Sequence, residues 1–258
     1  MNQFIDTHTH IYLEEFEHDT DSVIKEALEA GVQHMLMPNV DLNTLDPLLS
    51  LWEKYPANCL PMMALHPTSV KPGFERVLEK IRPWFCKKCM VAVGETGIDL
   101  YWDKTHLTQQ IESFKRHIEW ALSYELPLVV HSRNSIHEIM QVLEDYRGSR
   151  LKGVMHCFPG DTVQAEWFID YGFLLGIGGV VSYKKSAMAE VVKHVSMDSI
   201  ILETDAPYLT PVPHRGKRNQ PAYIPLIAQK IAEIKNVSLS DVADQTTANA
   251  RMLFKIKQ

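Results

Sequence analysis

Short runs of aliphatic and β-branched residues alternate along the chain with longer stretches whose apolar side chains recur every three or four positions. The runs are Phe4 to Asp6, Val32 to Met37, Leu60 to Leu65, Met90 to Val93, Leu126 to Val130, Lys152 to Met155, Phe173 to Val180 and Ser199 to Leu202. They predict strands, and the stretches between them, such as Thr20 to Ala30, Thr105 to Ser123 and Ile136 to Tyr146, predict helices. Asp19, Thr20 and Asp21 are capping candidates for the first helix, and Gly31 is its terminator. Pro221 to Gln258 reads as two further helices, the second opening near Ser238, Ser240 and Asp241, placed to cap the fold rather than to form a separate module. Eight β/α units in about 250 residues predict an α/β fold of the (β/α)8 TIM-type barrel class. An open doubly wound sheet would carry a Gly-rich phosphate loop after its first strand, where this chain has His8-Thr9-His10.

No tract rich in Pro, Gly and Ser or in like charges interrupts the 258 residues, so one domain spanning 1–258 is expected. A hydrophobic content of 45% with 22% charged residues points to a globular chain and away from disorder. Met1 to Asp6 lacks the basic-then-apolar pattern of a secretory leader. The longest apolar run, Phe173 to Val181, is broken by glycines and too short to span a bilayer. The cytoplasm is therefore the expected compartment, with no membrane association and no obligate protein partner. Four cysteines (Cys59, Cys86, Cys89 and Cys157) fit a reducing environment. Cys86 and Cys89 have metal or redox spacing, but no second such pair exists to complete a zinc site, so the pair is expected to be structurally indifferent. A net charge of −6 argues against binding nucleic acid through the overall field; a nucleic-acid substrate would need local cations, such as those in His214-Arg215-Gly216-Lys217-Arg218.

The chemistry is concentrated at predicted strand ends. His8 and His10 end the first strand, His66 the third, Glu95 the fourth, His131 the fifth, His156 the sixth and Asp205 the eighth. In a barrel these positions converge on one mouth, where catalytic residues of this fold sit. His-x-His on a strand puts both imidazoles on one face, so the pair can bite one cation. Glu95, among the small neighbours of Val93-Gly94-Glu95-Thr96-Gly97, has two oxygens with which to bridge two cations. A lone histidine after a strand is more often a satisfied core residue than a ligand, and Glu95 alone reads equally well as a structural carboxylate. Glu203 and Asp205, close to a buried strand, carry a desolvation cost unless cations pair with them. Coincidence favours a metal site built from His8, His10, Glu95, His131, His156 and Asp205. His66, in Ala64-Leu65-His66-Pro67, either hydrogen-bonds a substrate phosphate or holds its loop. His18, His106, His117 and His137 are expected at the surface, and Met35, Met37, Met62 and Met63 are expected to fill the barrel.

These segments resemble the TatD family of metal-dependent deoxyribonucleases, within the amidohydrolase superfamily. The resemblance runs almost from end to end, through Phe4-Ile-Asp-Thr-His-Thr-His10, Ala64-Leu-His-Pro67, Val93-Gly-Glu-Thr-Gly-Ile-Asp99, Leu126-Pro-Leu-Val-Val-His-Ser-Arg133, Gly153-Val-Met-His-Cys-Phe158, Leu202-Glu-Thr-Asp-Ala-Pro-Tyr-Leu209 and Pro211-Val-Pro-His-Arg-Gly-Lys-Arg-Asn219. It implies a binuclear centre in which His8, His10, Glu95 and Asp205 hold one cation and Glu95, His131 and His156 the second. Pro159, where a Ser is common, and Leu100, where an aromatic residue is usual, depart from the pattern and bear on substrate fit.

The implied reaction is phosphodiester hydrolysis of DNA, of the 3'-5' exonuclease type. Asp205 is the expected general base and Glu203 its supporting carboxylate. Arg133 and Arg215 either clamp the phosphate or pair with acids in the barrel mouth. The same site admits D-aminoacyl-tRNA deacylation or other ester or amide hydrolysis, and a non-enzymatic phosphate-binding module is the reading of a different class. A mixed shell of imidazoles and carboxylates does not choose among zinc, magnesium, manganese and nickel.

Overall fold

Strands form where branched and aliphatic side chains are densest. They are β1 (Phe4–Asp6), β2 (Val32–Pro38), β3 (Cys59–Met62), β4 (Val93–Asp99), β5 (Leu128–Arg133), β6 (Gly153–Met155), β7 (Phe173–Ile177) and β8 (Ile200–Leu202). Between and after them run α1 (Thr20–Glu29), α2 (Leu45–Lys54), α3 (Glu75–Ile81), α4 (Leu107–Tyr124), α5 (Ile136–Glu144), α6 (Thr162–Tyr171), α7 (Met188–His194), α8 (Ile224–Lys235) and α9 (Leu239–Phe254). The structure is a computed structural model that describes residues 2–87 and 89–257. All strand pairs are parallel, in the orders β1-β2-β3 and β4-β5-β6-β7-β8. A bridge between Met63 and Val93 joins the two runs, and a second between Thr9 and Ala206, with the Thr7 N–H donating to the Leu202 carbonyl at 3.0 Å, closes the ring. The result is the TIM-type barrel that the alternating pattern predicts.

Two strands run further than their apolar residues suggest. Gly94-Glu95-Thr96-Gly97 lacks the side chains that mark a strand, yet β4 continues to Asp99 because Gly97 pairs with His131 and Asp99 with Arg133 on β5. Gly97 has φ +141°, and a Cβ there would lie 2.1 Å from the His131 carbonyl oxygen, so only glycine lets the strands approach this closely. Glu95 and His131 consequently sit within strands, whereas the sequence places them just beyond the strand ends.

Ile5, Leu36, Met62, Val129, Val154 and Ile201 fill the barrel interior and meet Ala250 and Phe254 of α9. Ser238 and Asp241 cap α9 reciprocally, as their spacing suggests. The Asn249 amide donates to the Met197 and Ile200 carbonyls, both at 2.8 Å, and the Thr247 hydroxyl donates to the Gln3 carbonyl at 2.9 Å. The last helix is therefore the floor of the barrel, at the end opposite the histidines. Of the four methionines expected inside, only Met62 belongs to this interior layer; Met35, Met37 and Met63 pack in the larger cluster between strands and helices. Asp19 precedes α1 but makes no capping bond, because its carboxylate is taken by the Arg218 guanidinium at 2.6 and 2.9 Å. All four cysteines are free thiols, Cys86 exposed and Cys59 buried. Among the described residues no helix is long and apolar enough to cross a membrane.

His117 is buried, contrary to its expected surface position. Its Nδ1–H donates to the Ser113 carbonyl at 2.7 Å, and its Nε2 accepts the Leu65 N–H at 3.1 Å, so the ring is neutral and ties α4 to the loop after β3. Burial lowers its pKa from 6.5 to about 4, against the pull of the Ser113 carbonyl. Between these values the unfolded chain binds a proton that the folded chain refuses, so stability is complete above pH 6.5 and falls as the pH drops toward 4. The gap corresponds to roughly 3 kcal/mol. Urea unfolding of His117→Gln is expected to lose less stability between pH 7 and pH 5 than the parent does; equal losses would assign the acid sensitivity elsewhere.

Candidate metal centre

β1 and the segment that follows it carry Asp6, His8, His10 and Tyr12 at alternate positions. The Asp6 carboxylate, fully buried, accepts the His8 N–H at 3.2 Å, the Thr204 N–H at 2.9 Å and the Thr204 hydroxyl, joining β1 to the segment after β8. Burial raises its pKa to about 8, against these hydrogen bonds. The Tyr12 hydroxyl gives its one proton to the Pro38 carbonyl and must accept from the His10 Nδ1–H at 2.9 Å. With that proton on Nδ1, the other ring nitrogen, Nε2, points inward. It faces His8 Nε2 at 3.3 Å, Glu95 Oε2 at 3.7 Å and Asp205 Oδ1 at 3.6 Å.

The Glu95 carboxylate forks. Its Oε2 faces His8 Nε2 at 3.1 Å and His10 Nε2 at 3.7 Å, while its Oε1 faces His131 Nδ1 at 2.8 Å, His66 Nε2 at 3.5 Å and His156 Nε2 at 3.8 Å. Burial pushes this carboxyl up, but the imidazoles of His8, His66 and His156 and the hydrogen bond with His131 reverse that and hold it well below the usual range. His131 Nε2 lies 3.0 Å from Asp99 Oδ2, so both of its nitrogens meet carboxylates. Burial opposes protonation of this ring, yet Asp99 and Glu95 raise it to about 9.

His156 stacks on His8 at 3.4 Å between ring centroids. Its Nε2 faces Asp205 Oδ1 at 3.6 Å, and its Nδ1 lies 3.0 Å from Glu203 Oε2, close but misaligned for a hydrogen bond. Glu203 is fixed by the Cys157 N–H on its other oxygen. Gly176 makes room for it, since a Cβ there would fall 2.4 Å from Glu203 Oε2. Asp205 has φ +55°, a left-handed conformation that Asp tolerates better than most residues, held by its N–H to the His8 carbonyl at 2.9 Å. Burial raises its pKa, but His10, His156 and His8 outweigh this and keep it below the usual value.

All six predicted ligands thus meet at one mouth, as three overlapping groups: His8, His156 and Asp205; His8, His10 and Glu95; and His66, Glu95 and His131. The donor set fits cations on the evidence of its own contacts. The His10 Nε2 points at a second imidazole nitrogen and two carboxylate oxygens, and among the described residues the buried Nδ1 of His8 has no partner, so no single proton satisfies the cluster.

His66 differs from the others. Its Nδ1 accepts the Thr68 N–H at 3.2 Å, which leaves the proton on Nε2, aimed at Glu95. In that tautomer it donates inward. Arg133 and Arg215, for which pairing with acids was one expectation, make no ion pair among the described residues. Arg133 lies 3.8 Å above the Tyr101 ring, and Arg215 lies 4.2 Å above Tyr183. Arg133 lines the mouth cavity of about 770 Å³ with Glu95, His131 and Asp205, while Arg215 stands outside that lining. Asp99, Tyr12 and Asp6 were not singled out from the sequence, although alternation from Glu95 to Asp99 and from His10 to Tyr12 or back through His8 to Asp6 would have placed all three on the site's face.

A parallel barrel with a buried imidazole and carboxylate cluster at its C-terminal mouth defines the class of metal-dependent hydrolases. The chain belongs to the family described as TatD related DNase, whose model matches residues 5–255. It is 33% identical over 252 residues to "Uncharacterized metal-dependent hydrolase YabD" of Bacillus subtilis (strain 168), with 97% of this chain and 98% of the relative covered. It is 29% identical over 248 residues to "3'-5' ssDNA/RNA exonuclease TatD" of Erwinia tasmaniensis, covering 94% and 96%. The solved structure of YJJV, a TatD homolog from Escherichia coli K12, superposes with a TM-score of 0.92 at 28% identity, with 98% of each chain covered.

Proposed function

We propose that this metal-dependent hydrolase cleaves phosphodiester bonds of DNA from the 3' end of a single strand, in the cytoplasm, with two divalent cations. The fork at Glu95 carries the reading, because one oxygen serves the His8 and His10 side and the other the His131 and His156 side. His8, His10, Glu95 and Asp205 would hold one cation, and Glu95, His131 and His156 the other. Bound there, the pair supplies an acidified water and neutralises charge that develops on the phosphate. Asp205, ionised and open to the cavity, would orient the attacking water and accept its proton on the carboxylate. Glu203 holds His156 in place. His66 gives its Nε2–H to a substrate oxygen, and Arg133 offers its guanidinium to the phosphate from the cavity wall. Arg215, outside the lining, would meet the chain further along. The name of the Erwinia tasmaniensis relative supports the choice of a single strand.

The test uses one preparation, stripped with chelator and reloaded in turn with zinc, magnesium, manganese or nickel. End-labelled single-stranded DNA, duplex DNA, RNA and D-aminoacyl-tRNA are assayed side by side. Nucleotide release from the 3' end of single-stranded DNA, only after reloading, is expected. Full activity in the stripped protein, faster deacylation than DNA cleavage, or tight phosphate binding without turnover would each overturn the reading.

A further inference from the structure

We propose that Tyr101, Trp102 and Arg133 form a stacking platform at the rim of the metal centre that takes an unpaired nucleobase, so that the site selects single-stranded nucleic acid. This deepens the phosphodiesterase reading and rests on it. Trp102 is 71% exposed and Tyr101 52% exposed, an unusual state for adjacent large aromatic residues. Their rings stand edge to face at 4.9 Å between centroids. The Arg133 guanidinium lies 3.8 Å from the Tyr101 centroid and 5.3 Å from that of Trp102. Trp102 and Arg133 line the same cavity as Glu95 and His131, so the platform opens into the cavity that holds the catalytic groups.

The platform is held in place by the site itself. Asp99 Oδ1 accepts the N–H of Tyr101 at 2.9 Å and of Trp102 at 3.3 Å, while Oδ2 meets His131 Nε2 at 3.0 Å. Gln110 fixes Asp99 in turn, accepting its N–H at 2.8 Å and donating to its carbonyl at 3.2 Å. The Leu100 N–H donates to the Arg133 carbonyl at 2.9 Å. Asp99 is thus a positioning residue for both the rim and the imidazole beneath it.

The chemistry selects the occupant. Flat aromatic faces and a guanidinium that makes no ion pair among the described residues match a ligand with a flat π-face and an anionic backbone. A base inside a duplex has both faces covered by its neighbours and cannot offer one, whereas every unpaired base can. A protein partner would need apolar contact on a surface that here includes a free cation and opens into a polar pocket.

Binding separates the possibilities. The full chain with its metals is titrated with a short single strand carrying phosphorothioate linkages, which keep the charge and resist cleavage, and with the same strand in which tetrahydrofuran replaces the sugars and bases near the 3' end. The strand that keeps its bases is expected to bind about ten- to a hundredfold more tightly, with quenching of tryptophan fluorescence. Trp102→Ala is expected to bring that ratio close to one and Trp102→Phe to restore most of it. Equal affinity of the parent for both strands, or an unchanged ratio in Trp102→Ala, would overturn the platform. Base-dependent binding in a protein that cleaves no nucleic acid would uphold the platform and sink the phosphodiesterase reading, whereas cleavage without base dependence would do the reverse.

Discussion

Glu95→Gln is expected to lower hydrolysis roughly a thousandfold or more and to reduce the bound metal, with the barrel intact by circular dichroism. The substitution keeps the side chain's size, so the buried site is not emptied. It removes the negative charge that faces five imidazoles and turns one of two acceptor oxygens into a donor. An amide NH2 placed toward His8 and His10 repels a cation on that side, and placed toward His131 it repels one on the other. Either orientation leaves one half of the cluster unable to close. Elemental analysis after dialysis, with turnover measured on the same sample, checks this. Retention of both metals with near-parental turnover would remove Glu95 from the bridging role.

Asp205→Asn is expected to behave differently, lowering kcat by about 10²- to 10⁴-fold with a much smaller change in KM. Its oxygen lies 3.6 Å from His10 and from His156 and can still face them. What is lost is the ability to accept a proton, because the parent carboxyl is held ionised by those same imidazoles and an amide is not basic. Metal content should fall less than in Glu95→Gln. A change confined to KM would make Asp205 a binding group and leave the proton acceptor elsewhere.

The ligand set was legible because strand alternation is a local signal. His8 and His10 share a face whatever else the chain does, and strand ends in a barrel converge by topology. The strand carrying Glu95 was only half legible, since its glycines hide the continuation that pairing with β5 enforces. His117 could not be read at all. A polar ring in a helix looks like a surface residue until two backbone groups, one from a loop 52 residues away, satisfy both nitrogens. The setting of Arg133 was hidden for the same reason: the aromatic rings beneath it come from the loop after β4, more than thirty residues upstream, and no spacing rule connects them. Asp19 looked like a cap because the cap is local, and it went to Arg218 because a distant guanidinium outbids a backbone N–H.

The seam that closes the ring has a kinetic meaning. Asp6 and Thr204 are 198 positions apart, and the segments they clasp carry His8 and His10 on one side and Asp205 on the other. Pairings of such long sequence separation are the slow ones, so this seam is expected to close after the strands between have paired. Catalytic competence is then expected to arrive with that closure rather than to grow as the barrel assembles. A chain open at this seam would keep most of its strands and helices and have no working centre, so recovery of turnover during refolding clocks the closure itself.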